Sequence, residues 1–527
     1  MSCALVVWML CAPAGEQVDT AVVCPSEFRE ALAPWLAHRR AQGHRVAVLS
    51  NMKSAAGLRG DIRRVAQGGS LRYVVLVGDA DPAMYSDPQA QRRCIPAHYS
   101  KAVVNVRFGS TSEIATDNWY ADLDDDRVPD VAVGRLPCDS AEELSALVRK
   151  IVDYERSDDF GQWRRQVHFV AGLGGFGPLA DAVLEAAAKS LIGGGIPAAY
   201  ATTMTYGSWQ SPYCPDPRRF QQVTLERLNE GSLFWVYMGH GAQCAMDEVL
   251  VPGARYPILS SPDTSRLACR HGAPIACLLA CSSGAYDQPR DCLAEDMLRS
   301  RGGPVAVLCG SRVTMPYAMS VLGLELLHQC FFEQTETLGE AMLLAKRRMV
   351  SADPPTRYRA ALDGVARALS PTAQELDAER AEHLDLFNLL GDPLLRIAYP
   401  RDVKLEVAPT AEAGQNIVVT LDSPLAGTAT LEFTVRRDRL TFRPQPRGQF
   451  DPDALDAYAK VYERANQPRL AIVEMELEKG PTQARFAVPP EARGACHVRI
   501  FVEGREGCGV GSADVRVEPP RSTARRP

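Results

Sequence analysis

No stretch of this chain is apolar for long enough to form a membrane-spanning helix. Cysteine is not scarce, at fifteen residues, but it lacks pattern: the positions are scattered and contain no two Cys-x-x-Cys pairs. That excludes a paired-cysteine zinc module and a small disulfide scaffold. Positive charge is not in surplus either. The formal net charge is −6, which gives no general electrostatic reason to bind nucleic acid. The short basic tail, Arg521 to Pro527, reads as a frayed terminus. Tandem repeats and low-complexity segments are absent.

What remains is an ordinary soluble globular composition, 46% hydrophobic and 23% charged. At 527 residues the chain is too long for one core, and about three domains or subdomains are expected. An odd cysteine count leaves at least one free thiol. Cys277 and Cys309 sit in apolar runs and read as small buried hydrophobes.

Ala4 to Leu10 is a short apolar run, and Ala12-Pro13-Ala14 after it has the small-x-small form of a cleavage site. No Lys or Arg precedes it. A first buried strand is the alternative, but Asp19 to Cys24 already fills that place. Residues 1–18 are therefore expected to be an export segment, to periplasm or medium, with a cytoplasmic location as the alternative.

From Ala21 short β-rich runs alternate with amphipathic segments. Thr20 to Cys24, Arg45 to Leu49, Tyr73 to Val77, Val131 to Arg135, Val167 to Ala171, Leu233 to Met238, Pro274 to Ala280 and Val305 to Leu308 read as strands. Pro25 to Gln42, Leu58 to Ala66, Ala141 to Arg156 and Leu179 to Leu191 read as helices between them. Such alternation predicts an α/β fold with a mainly parallel sheet flanked by helices. Ligands on these sheets sit at the carboxyl ends of strands, where Gly78-Asp79 and Gly239-His240 fall. After Pro400 the texture changes to short runs at sandwich spacing: Val403 to Val407, Asn416 to Leu421, Ala429 to Val435, Leu470 to Leu477, Ala484 to Val488, His497 to Val502 and Ser512 to Val517. An Ig-like β-sandwich is expected there, with a helix, Pro452 to Ala465, decorating one loop. The expected units are 19–150, 151–400 and 401–520.

Two strand runs end abruptly in a reactive side chain beside glycine. One is Trp235-Val236-Tyr237-Met238-Gly239-His240-Gly241; the other is Ile275-Ala276-Cys277-Leu278-Leu279-Ala280-Cys281-Ser282-Ser283-Gly284. A thiol attacks well only as thiolate, and a neighbouring imidazole holds it in that form. A core histidine is the plainer alternative for His240, but glycine on both sides suits close approach to a ligand. Another buried thiol is the alternative for Cys281; its place after the strand favours the rim. His240 would hold the thiolate and later protonate the leaving amine. A metal-dependent hydrolase built on His240 lacks convergent His and Glu partners.

These phrases resemble the gingipain-type family of cysteine peptidases, caspase-like in fold. Tyr73 to Asp79, Thr116-Asp117-Asn118-Trp119-Tyr120, Pro129 to Arg135, Gly239-His240-Gly241, Ala280-Cys281 and Asn388-Leu389-Leu390-Gly391-Asp392-Pro393 carry the likeness, in family order over roughly 20–518. The resemblance implies an endopeptidase that cuts proteins or peptides through a Cys281 thioester, needing no cofactor for chemistry. It also implies an oxyanion hole from the amides of Gly241 and Cys281. A catalytically silent relative that binds proteins through the same cleft is the competing expectation.

One departure stands out. The family places an acid that orients the histidine in a Gly-rich loop, here Val170 to Gly177, and Leu173 occupies that position. The same loop lacks the glycine spacing of a dinucleotide site. Family enzymes cut after Arg or Lys using a pocket acid. Asp181 is the nearest candidate here, with Asp216 and Asp247 as alternatives and a solvated surface acid as the plainer reading of each. Ser311 to Met315, including Val313 and Thr314, would line the pocket, where Arg312 would repel a basic side chain. Finally, Asp122, Asp124, Asp126 and Asp130 fall at positions 1, 3, 5 and 9 of a calcium-loop pattern. Arg127 replaces its glycine and position 12 has no Glu. A structural calcium and a solvated acidic turn both stay open, the turn being favoured.

Overall fold

The computed structural model describes residues 17–173, 194–369 and 373–519. Residues 1–16 of the expected export segment, the helix Leu179 to Leu191 and the basic tail lie outside them. The expected strands come together in one ten-stranded sheet. Its order is Val46–Leu49, Thr20–Val23, Tyr73–Val77, Ala132–Leu136, Phe387–Leu390, Ala306–Gly310, Ile275–Leu279, Phe234–Met238, Gln166–Ala171 and Ala201–Tyr206.

Phe387–Leu390 is parallel to Ala132–Leu136 but antiparallel to Ala306–Gly310. Every other pairing in the sheet is parallel. The sheet is therefore two parallel halves of opposite sense, joined at this strand. His240 and Cys281 follow neighbouring strands of the second half. Asp79 follows a strand of the first half, and its carboxylate gathers with Asp291 and Glu295 instead.

Period-two alternation covers both faces. Phe234, Val236, Met238, Cys277 and Leu279 face a core shared with Met319, Leu322 and Leu326 of the helix Pro316–Phe331. Trp235, Tyr237, Ala276 and Leu278 face the other, with Phe220 and Leu225 of the helix Phe220–Asn229 and Met297 of Leu293–Arg299. Strands apolar on both faces are what a covered parallel sheet requires.

Residues 401–518 form two sheets with opposed apolar faces. Asn416–Ser423 buries Ile417, Val419 and Leu421 and exposes the alternate positions, against Leu431, Phe433 and Ile500 of the larger sheet. The helix, Leu455–Ala465, does more than decorate a loop. The Asn466 side chain just after it hydrogen-bonds both the N–H and the C=O of Met204, and Tyr462 Oη lies 2.8 Å from Thr205 Oγ1. It thereby covers the exposed edge strand Ala201–Tyr206 of the large sheet. Arg165 and Arg499 share the buried Glu432 carboxylate, at 3.1 and 2.6 Å, and so tie the sandwich to the α/β unit. Among the described residues no helix is long and apolar enough to cross a membrane.

Candidate active site

His240 and Cys281 follow strands that are neighbours in register. Met238 pairs with Leu279, and the N–H of Gly239 donates to the carbonyl of Leu279 at 3.3 Å. Two residues on, Gly241 presses on the backbone of Cys281. A Cβ there would stand 2.7 Å from the Cys281 carbonyl oxygen and 3.5 Å from its nitrogen. Only glycine fits this approach without displacing the backbone. Among the described residues no hydrogen bond claims the Cys281 N–H, which leaves it free to donate to an incoming oxygen.

Cys281 sits at an elbow. Ser282 has φ 53°, a left-handed conformation that costs a non-glycine residue about 1–2 kcal/mol. Its N–H donates to the Arg312 carbonyl at 2.9 Å, and Gly284 N–H donates to the Gly310 carbonyl at 2.9 Å. The strained turn is thus held from the adjoining strand, and the partly exposed thiol projects from it. Thr314 touches the sulfur: its N–H donates to Sγ at 3.4 Å, and its Oγ1 lies 3.6 Å away.

The Ser311 to Met315 loop is pinned residue by residue. Ser311 Oγ donates to the Ala115 carbonyl, and Asn105 Nδ2 donates to that of Val313. Arg312 makes a two-pronged ion pair with Asp287, at 2.8 and 2.5 Å, so its charge is matched within the protein. Met315 N–H donates to His383 Nε2 at 2.9 Å, while His383 Nδ1 donates to the Glu379 carbonyl at 2.7 Å. Burial pushes His383 down to about 4, so the ring stays neutral in the tautomer those bonds need.

The acids considered for a basic side chain separate. Asp181 lies outside the described residues. Asp216 caps the turn Pro217–Arg219 and pairs with Arg218 at 2.7 Å. Asp247 comes close to His240: Gly241 pairs with Met246 and Ala242 with Ala245 in a tight antiparallel hairpin, and the Tyr237 hydroxyl just beyond it bridges the His240 carbonyl and the Asp247 N–H. The sequence reading missed this placement, as it missed Asp287 and His383. The hairpin's two-residue turn, Gln243-Cys244, carries no glycine or asparagine to signal it.

In the acidic loop, Asp122, Asp124 and Asp130 bring carboxylate oxygens within 4.8 Å of one another, and Asp126 is not of the group. Each carboxylate also accepts a loop N–H: Asp122 from Asp125, Asp124 from Asp126, Asp126 from Val128 and Asp130 from Leu123. Arg59 pairs with Asp122 at 3.2 Å and with Asp125 at 2.7 Å. Each carboxylate thus spends one oxygen on the loop itself and Arg59 offsets part of the charge, which leaves fewer free oxygens than the six to eight that calcium takes. Adding EDTA and then excess calcium is expected to leave the thermal midpoint unchanged; a calcium-dependent rise would overturn that.

The sequence model described as Peptidase family C25 matches residues 14–398. Gingipain R1 of Porphyromonas gingivalis is 23% identical over 356 residues, which is 66% of this chain and 30% of that protein. Gingipain R2 of the same organism is 22% identical over 407 residues, 74% of this chain and 47% of that protein. The chain thus spans less than half the length of these curated relatives. Among solved structures, the Arg specific cysteine proteinase gingipain R aligns with a TM-score of 0.53 at 16% identity, covering 95% of this chain and 98% of that one. That likeness bears on the fold, and it agrees with a helix-flanked sheet followed by a β-sandwich.

Proposed function

Because the chain belongs to peptidase family C25, we propose that it is a cysteine endopeptidase with Cys281 as nucleophile and His240 as general acid and base. The observation that carries this is the register of the two strand ends, which supports a dyad because His240 and Cys281 follow paired neighbours, Met238 and Leu279. Cys281 Sγ, as thiolate, attacks the scissile carbonyl carbon of a protein or peptide. The resulting oxyanion is received by the N–H groups of Gly241 and Cys281. His240 passes its proton to the departing amine, leaving a thioester on Cys281. Water, deprotonated by His240, then attacks the thioester and releases the acid. No metal or cofactor takes part.

Val313 and Thr314 line the substrate side of the nucleophile in this reading, since Thr314 already touches the sulfur. The units 19–150, 151–400 and 401–520 are proposed as two α/β subdomains and a sandwich, and the lone Leu390–Arg135 pairing at the joint supports the first boundary. Export through residues 1–18 belongs to the same reading; an N-terminus of the recovered protein that retains those residues would speak for the cytoplasmic alternative.

A thiol-reactive peptidyl probe tests the nucleophile. The thirteen described cysteines form no disulfide, and ten are buried. Burial pushes Cys24, Cys214 and Cys330 up to about 12, which keeps them protonated and unreactive at neutral pH. The native protein is expected to take up one equivalent of probe, and Cys281→Ala none. A probe series varying the P1 side chain then reads specificity. Equal labelling of wild type and Cys281→Ala would sink the assignment and favour the protein-binding alternative.

A further inference from the structure

The position that should hold the histidine-orienting acid is leucine, yet a carboxylate reaches the same space from the other side. His240 and Asp247 flank the hairpin, each one residue beyond its last pair, Gly241–Met246. Tyr237 bridges the pair. Its hydroxyl donates to the His240 carbonyl at 2.7 Å and accepts from the Asp247 N–H at 3.2 Å. The two residues are thus fixed to one buried phenol, itself on the strand that leads to His240.

Room for the carboxylate comes from Gly172. A Cβ there would lie 3.0 Å from Asp247 Oδ2 and 3.0 Å from the Tyr237 hydroxyl. Gly172 immediately precedes Leu173, so the segment that lacks its own acid packs against Asp247 instead. Asp247 Oδ1 accepts the Glu248 N–H at 2.8 Å. Oδ2 is buried and makes no full hydrogen bond among the described residues. We propose that Asp247 is a positioning residue for His240, supplying from the hairpin the orienting carboxylate that Leu173 does not.

The electrostatics agree. Burial pushes the Asp247 carboxyl up; the Glu248 amide, the His240 charge and the Leu173 amide oppose it, and the Glu248 carboxylate adds to the rise. Among the described residues, Tyr237, Glu248 and Cys281 are titratable groups that act on this cluster. Tyr237 stays protonated, because burial raises it far above its ordinary value.

The inference rests on the peptidase reading, and its test separates the two. The rate of Cys281 alkylation by iodoacetamide is followed against pH at the peptide level, together with kcat/KM, in wild type, Asp247→Asn, Asp247→Ser, Asp247→Glu and His240→Ala. Loss of the carboxylate removes a charge that favours the imidazolium. The alkaline limb of the kcat/KM profile, where cleavage loses its proton donor, should therefore move to lower pH by about one unit in Asp247→Asn and Asp247→Ser. Their kcat/KM should fall roughly 10- to 100-fold, with Asp247→Glu recovering part. A uniform fall with the limb unmoved, or no change, overturns the role of Asp247 while leaving the dyad intact. If His240→Ala itself leaves the alkylation profile unchanged, the dyad fails, and the positioning role with it.

Discussion

His240→Ala is expected to lower kcat/KM for peptide cleavage by about a thousandfold, inside the 10²–10⁴ range typical of a positioned acid–base group. Two functions are lost together. The imidazole no longer holds the thiolate, and no group remains to protonate the leaving amine. Alkylation of Cys281 should separate the two functions. At neutral pH the variant reacts slowly, and at alkaline pH, where any accessible thiol ionises, it matches wild type. Cleavage is not recovered there, because the proton donor is still missing. Wild-type alkylation and cleavage in His240→Ala at neutral pH would falsify the dyad. Folding is not at issue, since His240 follows its strand and is only partly buried.

Much of this arrangement was legible in the chain because it is local. Trp235 to Met238 and Ile275 to Ala280 are apolar on both faces, and that pattern belongs to a covered parallel strand. Their abrupt ends, at Gly239-His240 and Cys281-Ser282, mark the rim without any knowledge of neighbours. The sandwich strands were equally readable, since Asn416 to Leu421 alternates with period two. Less local features were hidden. Nothing within Phe387-Asn388-Leu389-Leu390 states that this strand is where the sheet reverses sense. The approach of Asp247 to His240 depends on a two-residue turn with none of the usual turn residues. Arg312, read as a charge in the pocket, is neutralised by Asp287, which precedes it by 25 residues. Sequence pattern reports burial and periodicity; it does not report which charge finds which.

The largest stability effect is expected at the joint between the two halves of the sheet. Arg135 is fully buried and makes a two-pronged pair with Asp117, at 2.8 and 2.6 Å. Its other N–H groups donate to the carbonyls of Gly78 and Ile95, both at 3.0 Å. Its guanidinium lies 5.0 Å from the ring centre of Tyr286, on the loop that leaves Cys281. Asp117 in turn accepts from Arg135 while its own N–H donates to Asn388 Oδ1, on the reversing strand. Arg135→Met keeps the bulk and removes the charge. Breaking one side of a buried pair leaves an uncompensated carboxylate and costs about 3–5 kcal/mol. The urea midpoint should fall at unchanged slope by the corresponding amount. Pairing it with Asp117→Leu removes the stranded charge, so the double variant should regain part of the loss. Recovery is incomplete, because the carbonyls of Gly78 and Ile95 stay without their donor, and each unsatisfied buried group costs about 1–3 kcal/mol. An Arg135→Met protein as stable as wild type would mean that the two halves are held together by apolar packing alone. In that case the ion pair would contribute only to the placement of Tyr286 and the elbow behind Cys281.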